Sequence, residues 1–196
     1  MKWRILDLDN CIADDSHRIH LIDMSKTGDA RFHEYHLASI RDEASNISLV
    51  DCDFKKVIFT ARPRTYQAIT MRWLRDHAIS VDDMMMREPG DERGSVELKT
   101  SMVSRLMLRY NITLGDIDCA FDDREDVLAG YRSLGICASR VFIHNAPYPH
   151  DTRRSTSPVF PPDILRAAAK TFEERNATYG NNYLQIGAIM KALFPN

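Results

Sequence analysis

Asp7 and Asp9 stand two residues apart where the apolar run Trp3-Arg4-Ile5-Leu6 gives way to Asp7-Leu8-Asp9-Asn10-Cys11. Side chains at i and i+2 share one face of a strand, and a turn just after the first lets one carboxylate attack while the other handles a proton. That division of labour suits phosphoryl transfer. An aspartate that attacks phosphorus forms an aspartyl-phosphate and splits ester hydrolysis into two easier displacements, a task for which Asp7 is placed. The leaving alkoxide needs a proton and the second step needs an activated water, and Asp9 fits both. Aspartates also occupy turns after strands for conformational reasons, so the pair gains meaning only with further groups.

Three more groups follow in order. Thr60, in Val57-Ile58-Phe59-Thr60-Ala61-Arg62-Pro63, offers a hydroxyl and neighbouring N–H groups to phosphate oxygens, or simply caps the helix that follows. Lys99, in Ser95-Val96-Glu97-Leu98-Lys99, places a cation where nucleophile and phosphate charge accumulate, unless it is one more solvated helix lysine. Asp122-Asp123 end the apolar stretch Ala120-Phe121. Adjacent carboxylates repel unless a divalent cation lies between them, and Mg²⁺ takes a few carboxylates, a carbonyl and waters. Asp122 is the expected first ligand, Asp123 binds directly or through water, and Asp126 is expected to cap the next helix. His33-Glu34-Tyr35-His36 has helical i, i+3 spacing for zinc but no third ligand nearby in sequence.

The elements that must position these residues are legible as an alternation. Short apolar segments at Trp3 to Leu8, Lys56 to Thr60, Met84 to Arg87, Asp118 to Asp122 and Cys137 to Ile143 read as strands. Helical patterns at Arg64 to His77, Val96 to Tyr110 and Asp126 to Leu134 lie between them, with Gly135 suited to closing the last. The expected fold is α/β, a three-layer parallel sheet with helices on both faces and the ligand beyond the carboxyl ends of the strands. The chemical residues all fall at those ends. The phosphatase core is expected over residues 1–145, with 14–46 as a small cap or flap that is helical around Asp29 to Ile40. A Pro-rich linker over 146–162 and a helical C-terminal extension over 163–196 follow.

Composition narrows the class. With 196 residues, 44% hydrophobic, the chain can bury one substantial core. A net charge of -2 argues against a broad basic face for duplex nucleic acid. No apolar run is long enough to span a membrane and no secretory leader is recognisable, which points to the cytoplasm. Cys11, Cys52, Cys119 and Cys137 form no C-x-x-C and read as apolar thiols.

The ordered quartet of D-x-D, strand-end Thr60, Lys99 and the Asp122-Asp123 pair resembles the haloacid dehalogenase (HAD) superfamily. The resemblance implies a Rossmann-like sheet and one Mg²⁺. It makes Asp7 the nucleophile and a metal ligand, and Asp9 the acid/base that also offers its carbonyl to the metal. An aspartate at the second position implies a phosphatase rather than a dehalogenase. Residues Met86 to Lys99, Phe121 to Val127 and Tyr131 to Ile136 are similar to the 3′-phosphatase domain of phage-type polynucleotide kinase/phosphatase. Arg18, eleven residues after Asp7, and Arg62, two after Thr60, match that family's arginine offsets. Together with Arg87 and Arg93, which flank a Gly-Asp loop, they are the expected substrate-binding cations, since the guanidinium fork suits phosphate.

Three departures stand out. No G-x-x-x-x-G-K-[ST] is present, so no kinase activity is expected of these residues; Ser95 occupies a place where related domains tend to carry an acid; and Cys11 replaces the usual Thr or Val. The expected activity is therefore Mg²⁺-dependent phosphomonoester hydrolysis on nucleotides or nucleic-acid 3′-phosphate ends, with no membrane partner and with the C-terminal helices available for homo-oligomerisation. A phosphatase of an unrelated small metabolite, or a non-catalytic assembly module using those helices, are the alternatives.

Overall fold

The computed structural model describes residues 1–50, 53–146 and 148–150. Five strands form one parallel sheet: β1 (Trp3–Leu6), β4 (Lys55–Pro63), β5 (Asp83–Arg87), β6 (Ile117–Asp122) and β7 (Ala138–Arg140), in the order β5-β4-β1-β6-β7. Two short strands, β2 (Ala13–Asp14) and β3 (Glu43–Ala44), pair antiparallel as a separate ribbon. The expected parallel α/β sheet is thus present, with β1 at its centre.

Alternation along each strand divides the core. Ile5, Val57 and Phe59 pack on one face with Leu98, Met102 and Leu106 of α3 (Ser95–Tyr110) and Val127, Leu128 and Tyr131 of α4 (Glu125–Ser133). Leu6 and Ile58, one position along, pack on the other with Trp73 and Leu74 of α2 (Gln67–Asp76). Near-continuous apolar strands are what a sheet buried on both faces requires. Since β1 lies between β4 and β6, successive connections leave it in opposite directions, and the crevice at its carboxyl end is where such sheets bind ligands.

Several boundaries differ from expectation. β1 ends at Leu6, because the Leu8 carbonyl accepts the amides of Cys11, Ile12 and Ala13 in a tight turn with Asn10 at φ 59°. β4 runs past Thr60 to Pro63 through an irregularity in its pairing, so α2 starts at Gln67 after a short 3₁₀ turn. β7 stops at Arg140, and the amides beyond it turn to Asp122 and Asn10 instead. Asp126 is not the cap of α4: Arg124 holds that position, and Asp126 sits in the first turn, paired with the Arg124 guanidinium at 2.7 Å. Gly135 follows α4 at φ 83°, as its sequence position implies.

The segment 14–46 contains one short helix, α1 (His33–Leu37), between 3₁₀ turns rather than a continuous helix over Asp29 to Ile40. Trp73 Nε1 of α2 donates to the Asp42 carbonyl at 2.7 Å, which anchors this segment to the core. Among the described residues no helix is long and apolar enough to cross a membrane. From residue 151 onward the expected linker and C-terminal helices lie outside the described residues.

Candidate active site

The chain reverses so tightly after β1 that Asp7 is left at the sheet edge, its amide donating to the Phe121 carbonyl of the neighbouring strand at 2.9 Å. β6 delivers Asp122 and Asp123 beside it, and carboxylate oxygens of the three lie within 4.8 Å of one another. All are buried, at 6%, 1% and 3% exposure. Lys99, one turn into α3, places Nζ 2.7 Å from Asp7 Oδ1 and 2.7 Å from Asp122 Oδ2. Burial pushes the Asp7 carboxyl well above its usual range, Asp122 adds to that, and Lys99 only partly opposes it. The same acids hold the Lys99 ammonium firmly protonated despite its burial. Three buried carboxyl groups gathered beside one ammonium form an all-oxygen donor set, which fits a hard divalent cation such as Mg²⁺.

Thr60 is buried in β4 and lines the cavity, and its Oγ1 accepts the Arg62 amide at 3.1 Å, which leaves the hydroxyl proton to donate. Asp9 also lines the cavity, but its carboxylate is not one of the three in the acid cluster. Oδ1 accepts Arg18 Nη2 at 2.5 Å and Arg62 Nη2 at a shorter distance. Burial alone would raise the Asp9 carboxyl, but Arg62 and Arg18 outweigh it and keep the group ionised well below the usual carboxylate range.

The four expected substrate arginines are reached very differently. Arg18 does not line the cavity: it is fully buried, forks onto Asp42 Oδ1 and Oδ2 at 2.6 Å each, and donates to the Tyr35 carbonyl. Arg62 lines the cavity but donates to Ser39 Oγ, Thr70 Oγ1 and Asp9. Arg87 ties down the loop 88–94, donating to the carbonyls of Ala61, Asp91 and Arg93. Arg93 pairs with Asp91 at 2.6 Å and donates to Ser101 Oγ. Arg87 and Arg93 both line the cavity, as does Ser95 at the start of α3.

Two site residues had no place in the sequence reading. Asn10 Nδ2 donates to Asp123 Oδ2 and to the His144 carbonyl, both at 3.1 Å, while its Oδ1 accepts the amides of Ile143 and His144. Every side-chain bond it makes thus holds either the acid cluster or the strand exit opposite. An Asn directly after D-x-D, suited to a left-handed turn, was the available signal. Asp42, the counter-ion of Arg18, carried none. Cys11 is buried, and burial together with Asp7, Asp122 and Asp123 keeps its thiol protonated, in keeping with an apolar filler.

The cavity that Asp7, Asp9, Thr60, Lys99 and Asp123 line measures about 610 Å³. A buried acid–lysine cluster on a Rossmann-like parallel sheet is the arrangement that the resemblance to the haloacid dehalogenase superfamily implies. The family described as the polynucleotide kinase PNKP phosphatase domain matches residues 2–144. The chain belongs to that family.

Solved structures agree on the fold. A chain in the structure of the Pnkp1/Rnl/Hen1 RNA repair complex is 21% identical with a TM-score of 0.51, the match covering 71% of this chain and 42% of that one. This chain therefore spans less than half the length of that relative. A haloacid dehalogenase-like hydrolase from Streptococcus pneumoniae is 14% identical with a TM-score of 0.52, over 70% and 83% of the two chains. For a β-phosphoglucomutase-like protein from Thermotoga maritima the values are 15%, 0.50, 87% and 99%. A search of curated proteins gave no match.

Proposed function

We propose that this phosphatase is a Mg²⁺-dependent phosphomonoesterase acting on nucleotides or nucleic-acid 3′-phosphate ends through an aspartyl-phosphate. The gathering of Asp7, Asp122 and Asp123 in a buried crevice, with Lys99 paired to the first two, carries the reading. In the first step an Asp7 oxygen forms a bond to phosphorus, the ester P–O bond breaks, and Asp9 supplies the proton that the leaving oxygen requires. In the second, Asp9 takes a proton from water as it attacks phosphorus, the P–O bond to Asp7 breaks, and phosphate departs. The ion pairs with Arg18 and Arg62 leave Asp9 in its base form, ready for the second step. For the first, it must pick up a proton and loosen from them. Lys99 and the Thr60 hydroxyl are placed to stabilise the charge that spreads over the phosphoryl oxygens. Asp7, Asp122, Asp123 and the Asp9 carbonyl would hold Mg²⁺, which supplies further neutralisation of that charge.

The substrate class rests on the family match and on the cavity, whose 610 Å³ exceeds what a phosphate alone needs. Arg62 and Arg93 line the cavity in ion pairs with Asp9 and Asp91, and Arg87, bonded to carbonyls, is the lining guanidinium offered to an anionic ligand. Phosphate release should be measured on 3′- and 5′-mononucleotides and on a 3′-phosphorylated oligonucleotide. The expected outcome is release that needs Mg²⁺, stops in excess chelator and favours 3′-phosphates. Equal release in chelator would remove the metal from the account, and preference for a phosphorylated sugar or amino acid would replace the substrate class.

A further inference from the structure

Part of the cavity wall has a chemistry that phosphate recognition does not use. Phe32 and His150 are only half-buried and line the cavity together with Tyr35, His36 and Tyr148. The rings form a contiguous set: Phe32 to His150 at 4.8 Å edge-on, Phe32 to His36 at 5.9 Å, Tyr148 to His150 at 5.8 Å. They come from two parts of the chain more than a hundred residues apart, which a buried carboxylate joins. Asp15 accepts hydrogen bonds from the hydroxyls of Tyr35 and Tyr148 and from His144 Nε2, the last at 2.7 Å. The wall is therefore built in advance of any ligand. Beneath it, Ile19, Ile22, Tyr35 and Tyr148 form a small core of their own, against which Phe32 packs.

His36 adds a polar element. Its Nδ1 is buried with no hydrogen-bond partner among the described residues. Burial, reinforced by Arg62, keeps the imidazole neutral. A neutral imidazole offers one donor and one acceptor rather than a charge.

We propose that this wall is a nucleoside subsite, in which the ring of Phe32, edged by His150, stacks on the base of the substrate while the phosphate lies at Asp7. The inference deepens the nucleotide reading above and rests on it. The occupant follows from the chemistry. A planar aromatic face is sequence-tolerant toward every base, and the neutral imidazole beside it suits a sugar hydroxyl or base edge rather than a second phosphate. A sugar phosphate or an amino-acid phosphate offers no planar π-face to use such a wall.

The test compares a nucleoside 3′-monophosphate with glycerol 2-phosphate, which presents the same phosphoryl group without a base. Phe32→Leu keeps apolar packing and removes the aromatic face, and Phe32→Trp restores a face; thermal melts establish that each variant is folded. The subsite predicts that the ratio of kcat/KM for nucleotide over glycerol phosphate falls about tenfold in Phe32→Leu and recovers in Phe32→Trp. Equal losses on the two substrates, or a wild-type enzyme indifferent to the base, would overturn it. Calorimetric binding of the nucleoside monophosphate in excess chelator gives a readout that does not depend on turnover. Weaker binding by Phe32→Leu than by wild type supports the subsite even if neither substrate is hydrolysed, an outcome that would sink the phosphatase reading alone. Equal binding by both proteins overturns the subsite.

Discussion

Lys99 is the residue on which the charge balance of the site turns. Replacing a buried ion-pair partner leaves its counter-charges uncompensated, typically at a cost of about 3–5 kcal/mol. Lys99→Met should lower stability by that order without metal, because Asp7 and Asp122 both lose their 2.7 Å partner. Mg²⁺ should recover much of the loss, since a cation in the same cluster takes over the neutralisation. Denaturant titrations with and without Mg²⁺ measure both. A loss that Mg²⁺ leaves untouched would argue that the three acids do not form a metal site.

The residues to which the proposed chemistry falls are also the most legible. Asp7, Asp9, Thr60, Lys99 and Asp122 follow apolar segments or open a helix, and the structure brings all five to one crevice. The arginines were legible as cations but not in their engagements. Arg18 meets Asp42 across 24 residues and Arg62 meets Asp9 across 53, and tertiary choices at such separations leave no local trace.

At the scale of elements, the site depends on how α3 lies against α4. A Cβ added at Gly130 would stand 3.0 Å from Val96 Cγ1 and 3.1 Å from Thr100 Cγ2, two residues that bracket Lys99 on α3. Gly130→Ala gains about 1 kcal/mol of helix propensity. Overpacking costs about 1–3 kcal/mol, so the net expectation is a modest loss of stability with a lower kcat as α3 yields. Urea midpoints and steady-state rates check it, and a variant as stable and as active as wild type would contradict so tight a packing. The sheet and its three long helices were readable because period 2 and period 3.6 patterns alternate cleanly. The segment 14–46 is not, since it is held by Asp15, Arg18 and Asp42 rather than by periodic burial.

For the whole molecule, the five-stranded parallel order puts β1 at the topological switch point, and Asp7 leaves the sheet there. Stability against acid should report on segment 14–46, which lines the cavity through Phe32, Tyr35 and His36. Burial first, then Arg62, lowers the affinity of His36 for a proton, so the unfolded chain binds that proton more readily than the folded one. Its contribution is fully present above the unfolded imidazole value of about 6.5 and is lost as pH falls below it, by at most about 1.4 kcal/mol per pH unit. The depressed Asp9 carboxyl adds its own loss only lower, below the ordinary aspartate value of about 3.9. Melting temperatures between pH 7 and pH 5 should therefore fall less in His36→Gln than in wild type; parallel curves would exclude His36 as the source.

The central claim is that Asp7 attacks phosphorus. Acid-quenching the enzyme during turnover with Mg²⁺ and mapping the trapped phosphoryl group by mass spectrometry tests it directly. Phosphate is expected on the peptide that carries Asp7 and is expected to be absent in Asp7→Asn. Turnover with the label on another residue, or undiminished turnover in Asp7→Asn, would contradict it.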